Sequence, residues 1–94
     1  MPTGRGPRPV PPGEAWLREG GRVLHFRPAR WDRWRQSLEV TSGEWIPDQA
    51  APLLKHRQEL SRDEALQLWR HLRRQGWKPC PPQWPPPPPP LAPR

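Results

Sequence analysis

Ala15-Trp16-Leu17-Arg18-Glu19-Gly20-Gly21-Arg22-Val23-Leu24-His25-Phe26-Arg27 is the stretch from which the fold can be built. Two adjacent glycines tolerate the positive φ of a two-residue hairpin turn, and the flanks carry strand-forming residues. With Gly20-Gly21 as the loop, Leu17 lies opposite Leu24 and Ala15 opposite Phe26, while Trp16, Arg18, Val23 and His25 share the other face. The first of these faces is wholly apolar and needs a cover.

The cover stands downstream. Ser61-Arg62-Asp63-Glu64 has the spacing of a capping box, in which the hydroxyl accepts from the Glu64 amide and the carboxylate reaches back. Ala65, Leu68, Trp69 and Leu72 then follow at i, i+3, i+4 and i+7, an apolar stripe at helical spacing. Each large side chain in it stabilises the fold by about 1.5 to 3 kcal/mol if fully buried. Gly76 suits the left-handed residue that ends a helix, with Trp77 packing back on Leu72. Arg70, Arg73 and Arg74 favour the negative end of the helix dipole. The pattern predicts a helix over Arg62 to Gln75.

Between hairpin and helix the signals are weaker. Pro28 ends the second strand or sits just past it, and Ala29 to Ser37 reads as a loop or short turn. Leu38-Glu39-Val40-Thr41 and Glu44-Trp45-Ile46, on either side of Ser42-Gly43, read as a second hairpin with Val40 facing Trp45. Leu53-Leu54-Lys55 is an edge strand or an extended lead-in to the helix. The expected fold is α+β: a small antiparallel sheet of three or four strands in two hairpins, packed by one C-terminal amphipathic helix.

Outside this region the composition changes. Residues 1–13 hold five prolines, three glycines and two arginines, a mixture that cannot offset its own ordering entropy, so a disordered arm is expected. Six prolines run from Pro85 to Pro90, and 85–94 reads as a polyproline II tail, a spacer first and a groove ligand second. Residues 14–84 are left as one small domain.

The chain's 94 residues, 32% of them hydrophobic, leave no room for a large enzyme fold. The single cysteine, Cys80, excludes an internal disulfide and a cysteine-based zinc site. No apolar run reaches the length of a membrane span, and Met1 to Gly13 lacks the apolar core of a secretory signal. A cytoplasmic protein without membrane contact is expected. The net charge of +7 would attract phosphate backbones or acidic protein surfaces. Yet Asn and Tyr are absent while Arg, Pro, Gly and Trp abound, which GC-rich codons produce without selection for binding. The positive charge is also spread along the chain rather than gathered in a block.

Leu53-Leu54-Lys55, Arg57, Leu60-Ser61, Glu64-Ala65, Leu68-Trp69, Leu72, Gln75-Gly76-Trp77-Lys78 and Pro82-Gln83-Trp84 form an ordered pattern. Together with Ala15-Trp16-Leu17, Val23-Leu24-His25-Phe26-Arg27 and Gly43-Glu44-Trp45-Ile46-Pro47, it resembles an uncharacterised family of small cyanobacterial proteins, the domain of unknown function numbered sixteen fifty-one. The resemblance covers about three quarters of the chain, by the span of these residues. Trp31-Asp32-Arg33-Trp34 and the proline-rich ends depart from the pattern. What the resemblance implies is a cyanobacterial origin, with no activity, ligand or partner to carry over.

No HExxH, GxSxG, CxxC or phosphate-loop motif appears, and His25, His56 and His71 have no carboxylate or cysteine at ligand spacing. No catalytic residue, metal or cofactor is expected. Cys80 lies between prolines near Lys78 and reads as an incidental thiol. Arg30-Trp31-Asp32-Arg33-Trp34-Arg35 could hold single-stranded RNA, with arginines on phosphates and indoles on bases, each stack contributing about 1 to 3 kcal/mol. The same tryptophans could instead cover the sheet, which so small a domain needs. Arg70 and Arg74 on the outer helix face could join such a site or form part of a solvated surface. The expected function is a small basic interaction or accessory module with an unknown protein partner or self-association. Weak nucleic-acid binding through Arg30, Trp31, Arg33, Trp34 and Arg35 is the alternative.

Overall fold

A computed structural model describes residues 14–31 and 35–85. They form β1 (Ala15–Glu19), β2 (Arg22–Trp31), β3 (Gln36–Glu44), β4 (Leu53–Ser61), α1 (Arg62–Arg74) and β5 (Lys78–Pro79). The strands make one antiparallel sheet in the order β4-β3-β2-β1-β5. The α+β class, with a single amphipathic helix packed on the sheet, is as expected. The sheet has five strands rather than three or four. The expected disordered arm, 1–13, and all of the expected tail after Pro85 lie outside the described residues.

The first hairpin has the register its sequence dictates: Leu17 opposes Leu24, Ala15 opposes Phe26, and Trp16 opposes His25. Gly20 takes φ 61° in the turn, a conformation that costs any residue with a β-carbon. The second hairpin is different. β3 runs unbroken through Ser42 and Gly43, pairing with β2 from Arg22↔Glu44 to Trp31↔Gln36. Ser42-Gly43 is therefore strand interior, and Val40 faces Phe26 and Gln58 rather than Trp45. The reversal comes later, where the Gln49 amide donates to Ile46 O at 3.1 Å and Asp48 takes φ 70°. Pro28 does not end β2 either; it pairs opposite Leu38, and a bulge between Pro28 and Arg30 absorbs the irregularity.

The helix follows β4 without a loop and turns back over the sheet. Ser61 caps it reciprocally: its hydroxyl accepts from the Glu64 amide at 3.1 Å, and Glu64 accepts from the Ser61 amide at 3.0 Å. At the other end Gly76 takes φ 100°, Trp77 N donates to Leu72 O at 3.0 Å and Gly76 N to Arg73 O at 3.2 Å. This pair of bonds is a Schellman closure, and it swings Trp77 into the core. Leu17, Phe26, Leu38, Val40, Ala65, Trp69, Leu72 and Trp77 make one buried cluster. Phe26 and Trp69 meet edge to face at 5.4 Å.

A second cluster lies on the opposite sheet face, where Trp16, Val23 and Trp84 are buried with Trp45 and Cys80 against them. The segment after the helix brings Trp84 there. β5 pairs with β1 through Leu17↔Pro79 and Arg18↔Lys78, and Cys80 N donates to Trp16 O at 3.2 Å. The Gln83 carboxamide oxygen then accepts from Trp45 Nε1 at 3.0 Å and from Arg18 Nη1 at 3.1 Å. The sheet is thus covered on both faces, by α1 on one and by the Cys80–Trp84 strap on the other.

Candidate interaction surface

The arginine and tryptophan residues singled out from sequence do not converge. Arg30 and Trp31 pair with Ser37 and Gln36 at the far end of β2 and β3. Asp32, Arg33 and Trp34 lie outside the described residues, and Arg35 is exposed at the start of β3. Ser37 also pairs with Ser61, so this end of the sheet adjoins the start of α1. Arg70 and Arg74 are exposed on the helix, about 12 and 18 Å further along its axis at 1.5 Å per residue. They belong to the opposite end of the molecule.

Several other arginines have structural partners. Arg18 Nε donates to Gly20 O at 2.7 Å. Arg22 lies 5.0 Å above the Trp77 ring and donates to Glu19 at 2.7 Å. Arg73 Nη1 donates to Trp77 O at 2.7 Å. Part of the basic excess thus braces turns and aromatic rings. Five tryptophans, Trp16, Trp45, Trp69, Trp77 and Trp84, are buried or half-buried, where their ring area stabilises the two clusters.

β4 is the longer of the two edge strands of the sheet among the described residues. It is an edge strand of nine residues, all exposed except the half-buried Leu60. Among the described residues nothing pairs with its outer side. Such an edge presents a row of amide and carbonyl groups that another strand can take up. Leu53 and Leu54 keep 51% and 45% of their surface in water, and nearby Ile46 keeps 37%. The sequence marked only Leu53 to Lys55, as an edge strand or an extended lead-in to the helix, because the remainder has no apolar alternation. The residues from His56 to Ser61 pair regularly with β3, whereas a bulge at Lys55 separates them from Leu53-Leu54.

The side chains of β4 carry charge of both signs. Lys55 Nζ donates to Glu44 at 2.9 Å, and Arg57 Nε lies 3.7 Å from Glu39. The Ser37 hydroxyl donates to Glu59. Across the face opposite the helix, Arg27, Glu39 and Glu59 stand in one row. The two carboxylates are direct cross-strand neighbours, an unfavourable pairing unless cations flank them.

The titratable groups of the second cluster are structural in placement. His25, 2% exposed, stacks on Trp16 at 4.0 Å and meets Trp84 edge-on at 6.1 Å. Its Nε2 lies 2.7 Å from Glu14. Burial lowers the His25 pKa below its ordinary value, although the Glu14 hydrogen bond pulls the other way. The Cys80 thiol is pushed up by burial, against the opposing charge of Arg18. His56 lies on β4 and His71 on the exposed side of α1, so the histidines occupy separate surfaces. Among the described residues no cluster of His, Cys, Asp and Glu is arranged to hold a metal. Nor is any described helix long and apolar enough to cross a membrane.

Residues 14–84 match the model of a family described as a protein of unknown function, DUF1651. No curated protein and no solved structure matches the chain.

Proposed function

We propose, for a chain that belongs to the DUF1651 family of proteins of unknown function, a non-catalytic role as a protein-interaction module of the cytoplasm. The observation that carries this reading is the nine-residue edge strand β4, exposed but for the half-buried Leu60 and, among the described residues, open along its outer side. A partner segment in extended form adds to such an edge by main-chain hydrogen bonds, and side chains on alternate positions set its specificity. Leu53 and Leu54 offer apolar contact at one end of β4, while Arg57 and Glu59 offer one charge of each sign further along. The separate placement of His25, His56 and His71, and the half-buried position of Cys80 at the start of the strap, support a role other than catalysis.

The test is a titration of isotopically labelled protein with a synthetic library of short extended peptides, read by amide shifts. Shifts running along β4, leaving α1 and β5 unmoved, are expected. Shifts confined to Gln36 would overturn the reading and point to the arginine-rich segment, and shifts confined to the exposed side of α1 would overturn it and point to Arg70 and Arg74.

A further inference from the structure

We infer that the strand received by β4 is β4 of a second copy of this chain, antiparallel and centred on Gln58. The inference rests on the reading of β4 as a strand-receiving edge and names its occupant. Two antiparallel edge strands related by a two-fold axis must pair residues of equal parity, so the possible registers are few and their charges can be compared. Centring on His56 sets Lys55 against Arg57 twice, and centring on Glu59 sets that carboxylate against itself. Centring on Arg57 pairs Lys55 with Glu59 but opposes the two Arg57 side chains and runs across the Lys55 bulge. Centring on Gln58 pairs Arg57 of each copy with Glu59 of the other, opposes the two carboxamides, and sets His56 beside Leu60. This register also stays within the regular part of the strand.

The face opposite the helix supplies an independent reason. Arg27, Glu39 and Glu59 stand in a row that ends at the open edge on two neighbouring carboxylates. In the Gln58 register the next group outward is Arg57 of the second copy. The row then reads cation, anion, anion, cation, and the like-charged pair is flanked on both sides. The net charge of +7 on each chain opposes association at long range. That repulsion is screened beyond about 8 Å at physiological ionic strength, whereas the facing Arg57–Glu59 pairs are within contact distance. The two helices do not obstruct the pairing. They lie on the same face, each over β3 and β4, and a strand spacing of about 4.8 Å sets them roughly 10 to 14 Å apart, at or beyond one helix diameter.

Sedimentation equilibrium of the full chain and four variants tests this. The wild-type mass is expected to rise toward that of a dimer with concentration. Arg57→Glu and Glu59→Arg should each lose the dimer, and the combined swap should restore it, since the pair reappears with its signs exchanged. Gln58→Arg places two cations across the two-fold axis and should also lose it. Arg57 and Glu59 are exposed but also meet Glu39 and Ser37 of their own chain, so circular dichroism and a urea midpoint establish that each variant is folded before its mass is compared. A wild-type chain that stays monomeric to about 1 mM, the weak end of specific association, overturns the inference. So does a dimer indifferent to the swaps, or one the combined swap fails to restore. If the chain is monomeric while peptides still shift the β4 amides, self-pairing fails and strand reception stands; if neither occurs, both fail.

Discussion

A β-carbon placed on Gly43 would lie 2.9 Å from Cζ3 of Trp84, so the indole rests directly on the backbone of β3. Leu54 Cδ2 closes the same spot at 3.2 Å. Gly43→Ala therefore lifts Trp84 from its seat between Trp16, His25 and β3, with a loss of about 1 to 3 kcal/mol expected for overpacking. In a Trp84→Leu background the same substitution should cost much less, because the two positions share one space. Urea denaturation of the four proteins of this cycle measures the coupling.

His25 makes stability depend on pH. Its folded pKa is depressed by burial, so below about pH 6.5 the unfolded chain takes up a proton that the folded chain refuses. Its contribution to stability is present above that pH and is lost progressively as the pH falls toward the folded pKa. His25→Phe keeps a ring against Trp16 and should flatten this slope. Denaturation midpoints between pH 7.5 and pH 5.5 provide the comparison.

The two helix ends should have separable costs. Ser61→Ala removes one half of the reciprocal cap and should destabilise by about 1 kcal/mol. Gly76→Ala meets no atom within 4 Å, so its expected loss of about 1 to 2 kcal/mol comes from the left-handed backbone alone. Gly76 lies away from the β4 edge, so Gly76→Ala should leave the concentration dependence of the mass as in wild type, once corrected for any unfolded fraction.

Fluorescence titration with a short single-stranded RNA checks the arginine-rich segment. With five of the tryptophans in the two clusters, only Trp31 and Trp34 are candidates for stacking on bases. The interaction-module reading expects no salt-sensitive quenching near physiological salt at tens of micromolar. Quenching that disappears in Trp31→Ala/Trp34→Ala would instead assign nucleic-acid binding to that segment.

The features legible from sequence were those written in local chemistry. Gly20-Gly21 and the alternation around it determined the first hairpin to the residue, and Ser61, Glu64 and Gly76 marked both ends of α1. Gly43 misled because glycine in a strand looks like a turn until the residue resting on it is known, and Trp84 is remote in sequence. β4 was hidden for a related reason. An edge strand in water needs no apolar alternation, and Lys55-His56-Arg57-Gln58-Glu59 has none. The second cluster was likewise invisible, since Trp16, Val23 and His25 were placed on the other face of the hairpin with nothing assigned to pack on it. Of the candidate site residues, Arg70 and Arg74 were correctly placed on the outer helix face, but only tertiary structure separates them from Arg35.

The strap over the second sheet face also imposes an order on folding. β1 to β4 and α1 can assemble from contacts among neighbours in the chain, but Trp16 and His25 receive their lid only from Trp84, which follows every other element. During synthesis from the amino terminus, these rings must therefore face water until that residue has emerged. The half-made domain has one finished side and one sticky side, and its closing step is the docking of a single indole.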